Sequence, residues 1–331
     1  MPLSFHVLGQ PGRDNALFVK LDTGHSQTRF LFDCGDGCPH RLPAAELREI
    51  DHLCFSHLHI DHVAGFDLFF RANFDRVGTE PRIWVPPGSG SIIGHRLCGF
   101  LWNLVDGHPG QWLVSECAPD VIRTARYCVS EGFAVAHPEA EQPRRGRTIV
   151  DGGAFTLETV QLDHGTPSLG YILREAPRIN VDTDRLAALG LSPGPWLKQL
   201  REDGEPDGTV TVAGTELPLK DLRQRLLVAT AGSSIAYLTD FRVEASEREL
   251  TAALRGVDTV VCESQYRAAD VDLARAAMHS TAAEVAAMAR QAGVGRLVLF
   301  HVSDRYDAAA RREMLLEAQA VFADTAMPHG W

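Results

Sequence analysis

The chain has 331 residues, of which 45% are hydrophobic and 23% charged; this is ordinary for a globular protein and excludes a disordered chain or a disulfide-stapled miniprotein. The formal net charge of −11 excludes a globally basic nucleic-acid binder, although a local basic patch stays compatible with it. No run of about 18 apolar residues is present, which argues against a membrane-spanning helix. The first residues lack a basic start followed by a long apolar stretch, so we expect a cytoplasmic location. The seven scattered cysteines include no second pair that would complete a zinc knuckle, and we interpret them as reduced thiols, mostly in the core.

In the first half of the chain, short apolar runs bounded by turn residues predict a series of strands. They are expected at 2–8, 15–21, 30–33, 52–56 and 81–86. Apolar residues at helical spacing predict helices over 63–73 and 91–105. The polar segment 138–153 predicts a loop.

The second half continues in the same style. Strands are expected at 154–162, 169–174, 233–239, 257–262 and 296–300, and helices at 244–255, 281–292 and 307–322. Thr281 and Glu284 fit a capping box at the start of one of these helices. Strand-rich segments followed by alternating strands and helices, in each half, predict an α/β fold of two sheets packed between helices. Residues 190–220 are dense in glycine and proline and predict an excursion, within which 209–217 fits a small hairpin.

The strongest chemical signal is the segment SHLHIDHVAG at 56–65. It carries four candidate metal ligands directly after a predicted strand: His57, His59, Asp61 and His62. The chain has 14 histidines, so three of them within six positions beside an acid is not expected by chance. Four ligands in so short a loop suit two neighbouring divalent ions, and this donor set fits zinc, although manganese and iron accept it too.

Two ions need more ligands than this loop supplies, and three further residues meet the need. His164, Asp240 and His301 each follow a predicted strand. A residue just past a strand can point at the sheet rim while its backbone stays held. Each of the three alone would more often be an ordinary loop residue, and the loop at 56–65 is what favours them as ligands.

Several motifs together resemble one known family. They are SHLHIDH, LFDCGDG at 31–37, LDHGTPSLGY, AMHSTAAEVAAMARQAG, LVLFHVSDRY and LGLSPGPWLKQL. This combination resembles the metallo-β-lactamase superfamily and, within it, ribonuclease Z, the tRNA 3′-processing endonuclease family, or a close ribonuclease Z-like branch. The resemblance covers most of residues 30–306. It implies a single αββα sandwich over 1–331, with two mixed sheets between helices and an inserted tRNA-binding arm at about 177–225.

The resemblance also implies a role for each candidate ligand. His57, His59 and His164 would hold one zinc ion; Asp61, His62 and His301 would hold a second; and Asp240 would bridge both. A hydroxide would bridge the two ions, with Asp61 acting as its general base or orienting group. A ligand histidine usually donates its other ring N–H to an acceptor, and Asp33 and Asp36 are both candidates for that partner.

Two more residues complete the site that the resemblance implies. His279 would give a proton to the leaving 3′-oxygen, and Glu263 would hold the imidazole ring. Without the family, a buried capping histidine and a solvated strand-end acid would be the favoured interpretations. Arg305 is a candidate for holding a substrate phosphate, with a structural salt bridge as the alternative. We interpret the remaining histidines, at 6, 25, 40, 52, 95, 108, 137 and 329, as core or surface residues.

These observations lead to three functional hypotheses. The first is a zinc-dependent endoribonuclease that cuts precursor tRNA after the discriminator nucleotide and leaves a 3′-hydroxyl; the resemblance also implies a homodimer. The second is a hydrolase with the same metals acting on a small phosphodiester or another ester or lactone, because acids nearly cancel the bases of the arm and tRNA binding favours a basic surface. The third is a non-catalytic RNA-binding or scaffold protein. It is disfavoured because a protein without catalytic activity does not need seven converging metal ligands.

Overall fold

A computed structural model describes residues 3–24, 26–201 and 208–331. His25 and the acidic segment 202–207 of the predicted arm lie outside the described residues. The chain forms two compact units, one made of Met1–Arg174 with Ser233–Trp331 and the other of Glu175–Gly232. The predicted arm at 177–225 falls within the second unit. No described helix has the length and apolar character needed to cross a bilayer.

The first half of the larger unit forms a sheet of nine strands among the described residues. Its strands are β1 (Leu3–Gly9), β2 (Asn15–Asp22), β3 (Gln27–Phe32), β4 (His52–Cys54), β5 (Arg82–Val85), β6 (Gln111–Cys117), β7 (Val121–Cys128), β8 (His137–Pro138) and β9 (Gln142–Pro143). The helices between them are α1 (Ala44–Arg48), α2 (Ile60–Val63), α3 (Phe66–Asn73) and α4 (Gly90–Leu97). Strands β3 to β6 pair in parallel and the outer strands pair antiparallel, so the sheet is mixed.

The elements of the remaining chain, in order, complete the larger unit and build the smaller one. They are β10 (Thr148–Asp151), β11 (Phe155–Asp163), β12 (Pro167–Glu175), β13 (Arg178–Val181), α5 (Thr183–Ala188), α6 (Trp196–Arg201), β14 (Thr209–Val212), β15 (Thr215–Pro218), α7 (Leu219–Leu226), β16 (Leu227–Thr230), β17 (Ser234–Leu238), α8 (Val243–Leu254), β18 (Thr259–Glu263), α9 (Val271–Ala276), α10 (Ala282–Ala292), β19 (Arg296–Phe300), α11 (Ala308–Val321) and β20 (Thr325–Ala326). The second mixed sheet has the strand order β10-β11-β12-β17-β18-β19-β20. In the smaller unit β13 pairs with β16, and β14 with β15 forms the predicted hairpin.

Three apolar clusters make the larger unit an αββα sandwich, which confirms the predicted fold. Side chains from both sheets form the central cluster, including Phe32 of β3, Tyr171 of β12 and Tyr237 of β17. A second cluster packs α3 and α4 on the first sheet, and a third packs α8, α10 and α11 on the second sheet. Each sheet is therefore covered on both faces, as buried parallel strands require.

The imidazole of His52 lies within the central apolar cluster, against Phe30 and Phe155. His52 of β4 is buried, and Trp84 Nε1 donates a hydrogen bond to His52 Nδ1 over 3.1 Å. Burial, reinforced by the charge of Arg82, lowers the pKa of His52 to about 3. The imidazole is therefore neutral at neutral pH and serves as an acceptor in the core.

The structure corrects several expected elements. The helix expected at 91–105 ends at Leu97, where Gly99 disfavours its continuation, and Leu101 is fully exposed. The helix expected at 63–73 is divided at Gly65, where a Cβ atom would lie 2.4 Å from the Gly35 carbonyl oxygen. Within the expected loop 138–153 the chain forms β9 and β10, and strands β6 and β7 were not predicted.

Candidate metal centre

The histidine loop follows β4 and is held by the chain segment that follows β3. The Cys34 N–H donates to the His62 carbonyl oxygen over 2.8 Å, and the Gly65 N–H donates to the Cys34 carbonyl oxygen over 2.8 Å. A Cβ atom on Gly35 would lie 2.6 Å from the Asp61 carbonyl oxygen, so glycine is required for this close approach. The motif LFDCGDG thus supports the loop that carries the four candidate ligands.

The other candidate ligands leave the second sheet at one edge. Strands β17, β18 and β19 pair in parallel, so the residues after them meet at the same rim. Asp33, Asp240 and His301 have φ values of +57°, +53° and +52°, in the left-handed region, which aspartate and histidine occupy more readily than most residues. This conformation turns the chain sharply where each strand ends.

All seven predicted ligands come together in two groups. In each group the candidate ligand atoms lie within 4.8 Å of one another; one group is His57, His59, His164 and Asp240, and the other is Asp61, His62, Asp240 and His301. Asp240 belongs to both groups. Its Oδ2 lies 3.6 Å from His57 Nε2, 3.4 Å from His62 Nε2 and 3.5 Å from His164 Nε2. Two ion positions that share one carboxylate fit this arrangement.

Three buried ring nitrogens support metal ligation. His57 Nε2, His62 Nε2 and His301 Nδ1 have no hydrogen-bond partner among the described residues. Buried polar atoms without a partner are costly unless something else satisfies them, and imidazole with carboxylate is a donor set that suits a divalent cation such as zinc. The residues present therefore fit the group that the sequence motifs imply.

Three of the buried candidate ligands, His57, His62 and His164, are oriented through their other ring nitrogen. Ser56 Oγ lies 3.0 Å from His57 Nδ1, and the Met278 carbonyl oxygen lies 2.9 Å from His164 Nδ1. His62 Nδ1 donates to Asp33 Oδ2 over 2.7 Å. Such contacts fix the tautomer that leaves Nε2 free to bind a metal.

Asp33 is the centre of this supporting network. Its carboxylate also accepts from the Ser56 N–H over 2.7 Å, from Ser56 Oγ over 2.7 Å and from Tyr237 Oη over 2.8 Å. Asp36, the other candidate partner, is exposed, and its backbone N–H donates to Asp14. Ser56, Tyr237 and Met278 were not predicted, because a hydroxyl, a phenol and a backbone carbonyl carry no recognisable spacing in the sequence.

The charges of the cluster favour a cation. Burial lowers the pKa of His57 to about 2, and the neighbouring His62 adds to the effect. Burial acts to raise the pKa of Asp240, but His301 and His62 outweigh it and lower that pKa. Burial acts to lower the pKa of His62, but the Asp240 and Asp33 carboxylates outweigh it and raise that pKa. The buried carboxylates therefore attract positive charge into the centre of the site.

Glu263 and His279 form a pair beside the cluster. His279 Nδ1 donates to Glu263 Oε2 over 2.9 Å, while the Phe241 N–H donates to Glu263 Oε1 over 2.6 Å. The ring centroid of His279 lies 5.0 Å from that of His164 and 5.7 Å from that of His301. Burial acts to lower the pKa of His279, but the Glu263 carboxylate outweighs it and raises the pKa to about 9. The pair thus holds a protonated ring at the edge of the cluster.

Arg305 is exposed and near the site. Its Nε lies 3.3 Å from Ser303 Oγ, and its guanidinium carbon lies 5.2 Å from the ring centroid of Tyr266. Among the described residues it forms no ion pair, so the salt-bridge interpretation has no support there. A cavity of about 180 Å³ is lined by Asp61, His301, Ser303 and Asp304, among others.

Known proteins resemble this chain at the levels of sequence and fold. A family model described as anti-Pycsar protein Apyc1 matches residues 13–110. A protein named ribonuclease Z from Deinococcus radiodurans is 45% identical over 330 residues, which are 99% of this chain and 98% of the relative. Among solved structures, the metallo-β-lactamase fold protein YhfI from Bacillus subtilis matches with a TM-score of 0.55 and 15% identity, covering 99% of this chain and 96% of that one. The short form of human tRNase Z matches with a TM-score of 0.52 and 16% identity, with the same coverage.

Proposed function

The chain belongs to the ribonuclease Z family and is a metal-dependent hydrolase, and we propose that it uses two zinc ions to remove 3′ trailers from precursor tRNA. The cut falls after the discriminator nucleotide and leaves a 3′-hydroxyl on the tRNA. His57, His59, His164 and Asp240 hold one ion, and Asp61, His62, Asp240 and His301 hold the other. The high identity over nearly the whole length of the Deinococcus radiodurans relative supports this substrate class.

One observation carries the proposal: the shared Asp240 stands beside a histidine-glutamate pair. Metal ligands alone serve many hydrolytic reactions on this fold. A buried glutamate holding a histidine at the rim supplies a proton donor as well, and an alkoxide leaving group requires one. The combination favours phosphodiester cleavage over reactions whose leaving group needs no proton.

The bound ions supply Lewis acidity: they lower the pKa of water and stabilise charge on the attacking and leaving oxygens. The protein residues do the rest. Asp61, half-exposed and lining the small cavity, orients the attacking water and accepts its proton. Water attacks phosphorus, the bond from phosphorus to the 3′-oxygen breaks, and His279 gives its Nε2 proton to that oxygen. Glu263 holds the ring through Nδ1, and the trailer leaves with the 5′-phosphate.

Arg305 is proposed to bind a substrate phosphate. Its guanidinium lies 5.2 Å from the Tyr266 ring centroid, and the cavity that Ser303 and Asp304 line extends to Asp61. Arginine offers two parallel N–H donors to a phosphate, which favours it over a point charge at this place. Manganese or iron in place of zinc, and a homodimer of cytoplasmic chains, are compatible parts of the same proposal.

A second candidate is a hydrolase of small phosphodiesters with the same residues. The observation in its favour is the charge of residues 175–232. This segment contains seven Lys and Arg and nine Asp and Glu, which gives a net charge of −2. Phosphate contacts dominate the affinity of proteins for nucleic acids, so an acidic arm would bind tRNA weakly. The two candidates differ in substrate and share the chemistry.

The test compares two substrates on one preparation of known metal content. A precursor tRNA with a 3′ trailer and bis(p-nitrophenyl) phosphate are incubated with the wild type and with the Asp61→Ala and His279→Ala variants. The His95→Ala variant is the matched control, because His95 is an exposed histidine outside the cluster. Light scattering on the same sample gives the number of chains per particle.

We expect two metal ions per chain and one cut after the discriminator, abolished by Asp61→Ala, lowered about 10²–10⁴-fold by His279→Ala and unchanged by His95→Ala. Turnover of only the small diester would move the protein to the second candidate. Fewer than one ion per chain after loading with zinc would contradict the ligand assignment itself.

A further inference from the structure

We propose a second kind of metal site, at the edge of the first sheet, where Cys128, Glu131 and His137 bind one zinc ion. The Cys128 thiolate, one Glu131 oxygen and one His137 ring nitrogen are the ligands. Their candidate ligand atoms lie within 4.8 Å of one another. None of the three belongs to the metal centre described above, and His137 was expected to be a core or surface residue.

The strand register explains why these residues meet. His137 of β8 pairs with Arg126 of β7, and Cys128 lies two positions further along β7. Residues two apart on a strand point to the same face, so Cys128 is the diagonal neighbour of His137. Glu131 lies in the short 3₁₀ turn between them, and its Oε2 lies 2.6 Å from His137 Nε2.

The connecting turn is rigid enough to hold the ligands in place. Gly132 and Phe133 have φ values of +58° and +60°, and the Phe133 N–H donates to the Cys128 carbonyl oxygen over 3.0 Å. The Phe133 side chain is fully buried, and its ring lies 5.1 Å from Phe70 and 5.2 Å from Trp102 between centroids. This anchor fixes the turn against the core, so little order has to be gained when an ion binds.

The donor chemistry selects a borderline-soft cation. A thiolate, a carboxylate and a neutral imidazole carry two negative charges together, which balance a divalent ion, and thiolate ligation disfavours magnesium and calcium. Zinc takes such ligands at about 2.0–2.3 Å, so neighbouring ligand atoms lie about 3.3–3.6 Å apart. Glu131 and His137 need to separate by less than about 1 Å from their present contact. Binding releases the thiol proton, and any proton on the ligating imidazole nitrogen, to solvent.

An ion pair between Glu131 and His137 explains less of this arrangement. Both side chains are more than one third exposed, and a pair of that kind contributes little to stability. It gives no account of the thiol beside the pair. An ion held by all three residues would instead connect the end of β7 to the start of β8 and close the intervening turn.

Cobalt separates this site from the metal centre, because the proposed ligands of the metal centre are nitrogen and oxygen only. Reduced, chelator-treated full-length protein is titrated with Co²⁺, and the near-ultraviolet thiolate-to-cobalt charge-transfer band is recorded. Variants are Cys128→Ser and His137→Gln, with Cys98→Ser as the matched control. Cys98 is the other cysteine with solvent access nearby, and its thiol donates to the Phe133 carbonyl oxygen. Zinc per chain is then measured on the wild type and Cys128→Ser.

We expect the band in the wild type and in Cys98→Ser, its loss in Cys128→Ser, and at least about a tenfold weaker cobalt affinity in His137→Gln. Cys128→Ser should also bind one zinc ion per chain fewer than the wild type. A wild type without the band, a band that survives in Cys128→Ser, or equal zinc content in the two proteins would overturn the proposal. Circular dichroism of each variant confirms that it is folded.

Discussion

Replacing Asp33 with asparagine tests whether the buried carboxylate sets the tautomer of His62. Four donors converge on the two carboxylate oxygens: Oδ1 accepts from the Ser56 N–H, and Oδ2 accepts from Ser56 Oγ, His62 Nδ1 and Tyr237 Oη. An asparagine offers one oxygen and one NH₂ group. In one orientation the NH₂ group faces the Ser56 backbone N–H, which can only donate. In the other it faces His62 Nδ1, which then has to accept, so that the ring proton moves to Nε2 and blocks the ligand atom.

The size of the effect follows from this count. In the first orientation two buried donors face each other, and in the second the groups that donated to Oδ2 lose their acceptor; a buried donor left unsatisfied lowers the free energy of unfolding by about 1–3 kcal/mol. Loss of a partner that orients a ligand histidine typically weakens metal affinity about 10–100-fold. Tyr237→Phe removes one donor and leaves the carboxylate with three, so its effect on metal affinity should be much smaller.

The assay measures zinc affinity by competition with a chromophoric chelator and stability by urea unfolding of the chelator-treated protein. Asp36→Asn is the matched control, because Asp36 is exposed and, among the described residues, its side chain forms no hydrogen bond with the Asp33 network. We expect weakened zinc binding in Asp33→Asn alone. Unchanged zinc affinity in a destabilised Asp33→Asn would refute the tautomer argument, and equal effects in both variants would refute the assignment of Asp33.

Three further predictions follow from other parts of the structure. Burial holds the pKa of His52 at about 3, below its usual 6.5, so as the pH falls the unfolded chain binds a proton at this histidine before the folded chain does. The free energy of unfolding should therefore fall by about 2 kcal/mol between pH 7 and pH 5 because of this group. Urea unfolding of His52→Gln should lack that part of the pH dependence, and an unchanged pH dependence would contradict the assignment. Gly165 has a φ of +72°, and a Cβ atom there would lie 2.6 Å from Met278 Sδ. Gly165→Ala should therefore lower the free energy of unfolding in urea by about 1–2 kcal/mol and weaken zinc binding. Wild-type values for both quantities would contradict this. Arg305→Ala should raise KM for precursor tRNA about tenfold with kcat unchanged, and an equal fall in kcat would assign the residue another role.

Much of the fold could be predicted because its main helices and strands have a clear hydrophobic periodicity and are bounded by recognisable capping or turn residues. The helix at 282–292 begins at the capping box of Thr281 and Glu284. The strands β17, β18 and β19 at the core of the second sheet are apolar apart from polar residues at one or both ends. The long strands β6 and β7 were missed because polar residues such as Arg123 and Arg126 interrupt their pattern and because a polar face of a sheet edge resembles a loop. The helix expected to reach 105 ends early, at Leu97 just before Gly99; beyond it Leu101 and Leu104 are exposed, while Trp102 packs against the first-sheet cluster from a non-helical segment.

The proximity of the candidate ligands could be predicted because they combine a dense local motif with strand-end positions. The groups that orient the candidate ligand histidines could not be predicted. The tautomer of His164 depends on a carbonyl oxygen 114 positions away in sequence, and that of His62 on a network that joins both sheets. Such partners are set by packing, which a single sequence does not display. The choice between Asp33 and Asp36 needed burial, since both stand in the same turn-rich segment.

The candidate metal ligands come from distant parts of the chain, and this has a consequence for synthesis on the ribosome. His62 and His301 lie 239 positions apart, so at about 5–20 residues per second the first ligands are made on the order of 10–50 s before the last. Through that interval the nascent chain presents histidines and an aspartate to whichever cation is abundant, without the residues that complete the geometry. We therefore expect the ion that occupies the finished site to be fixed only after the second sheet has formed, because Asp240 and His301 are made last.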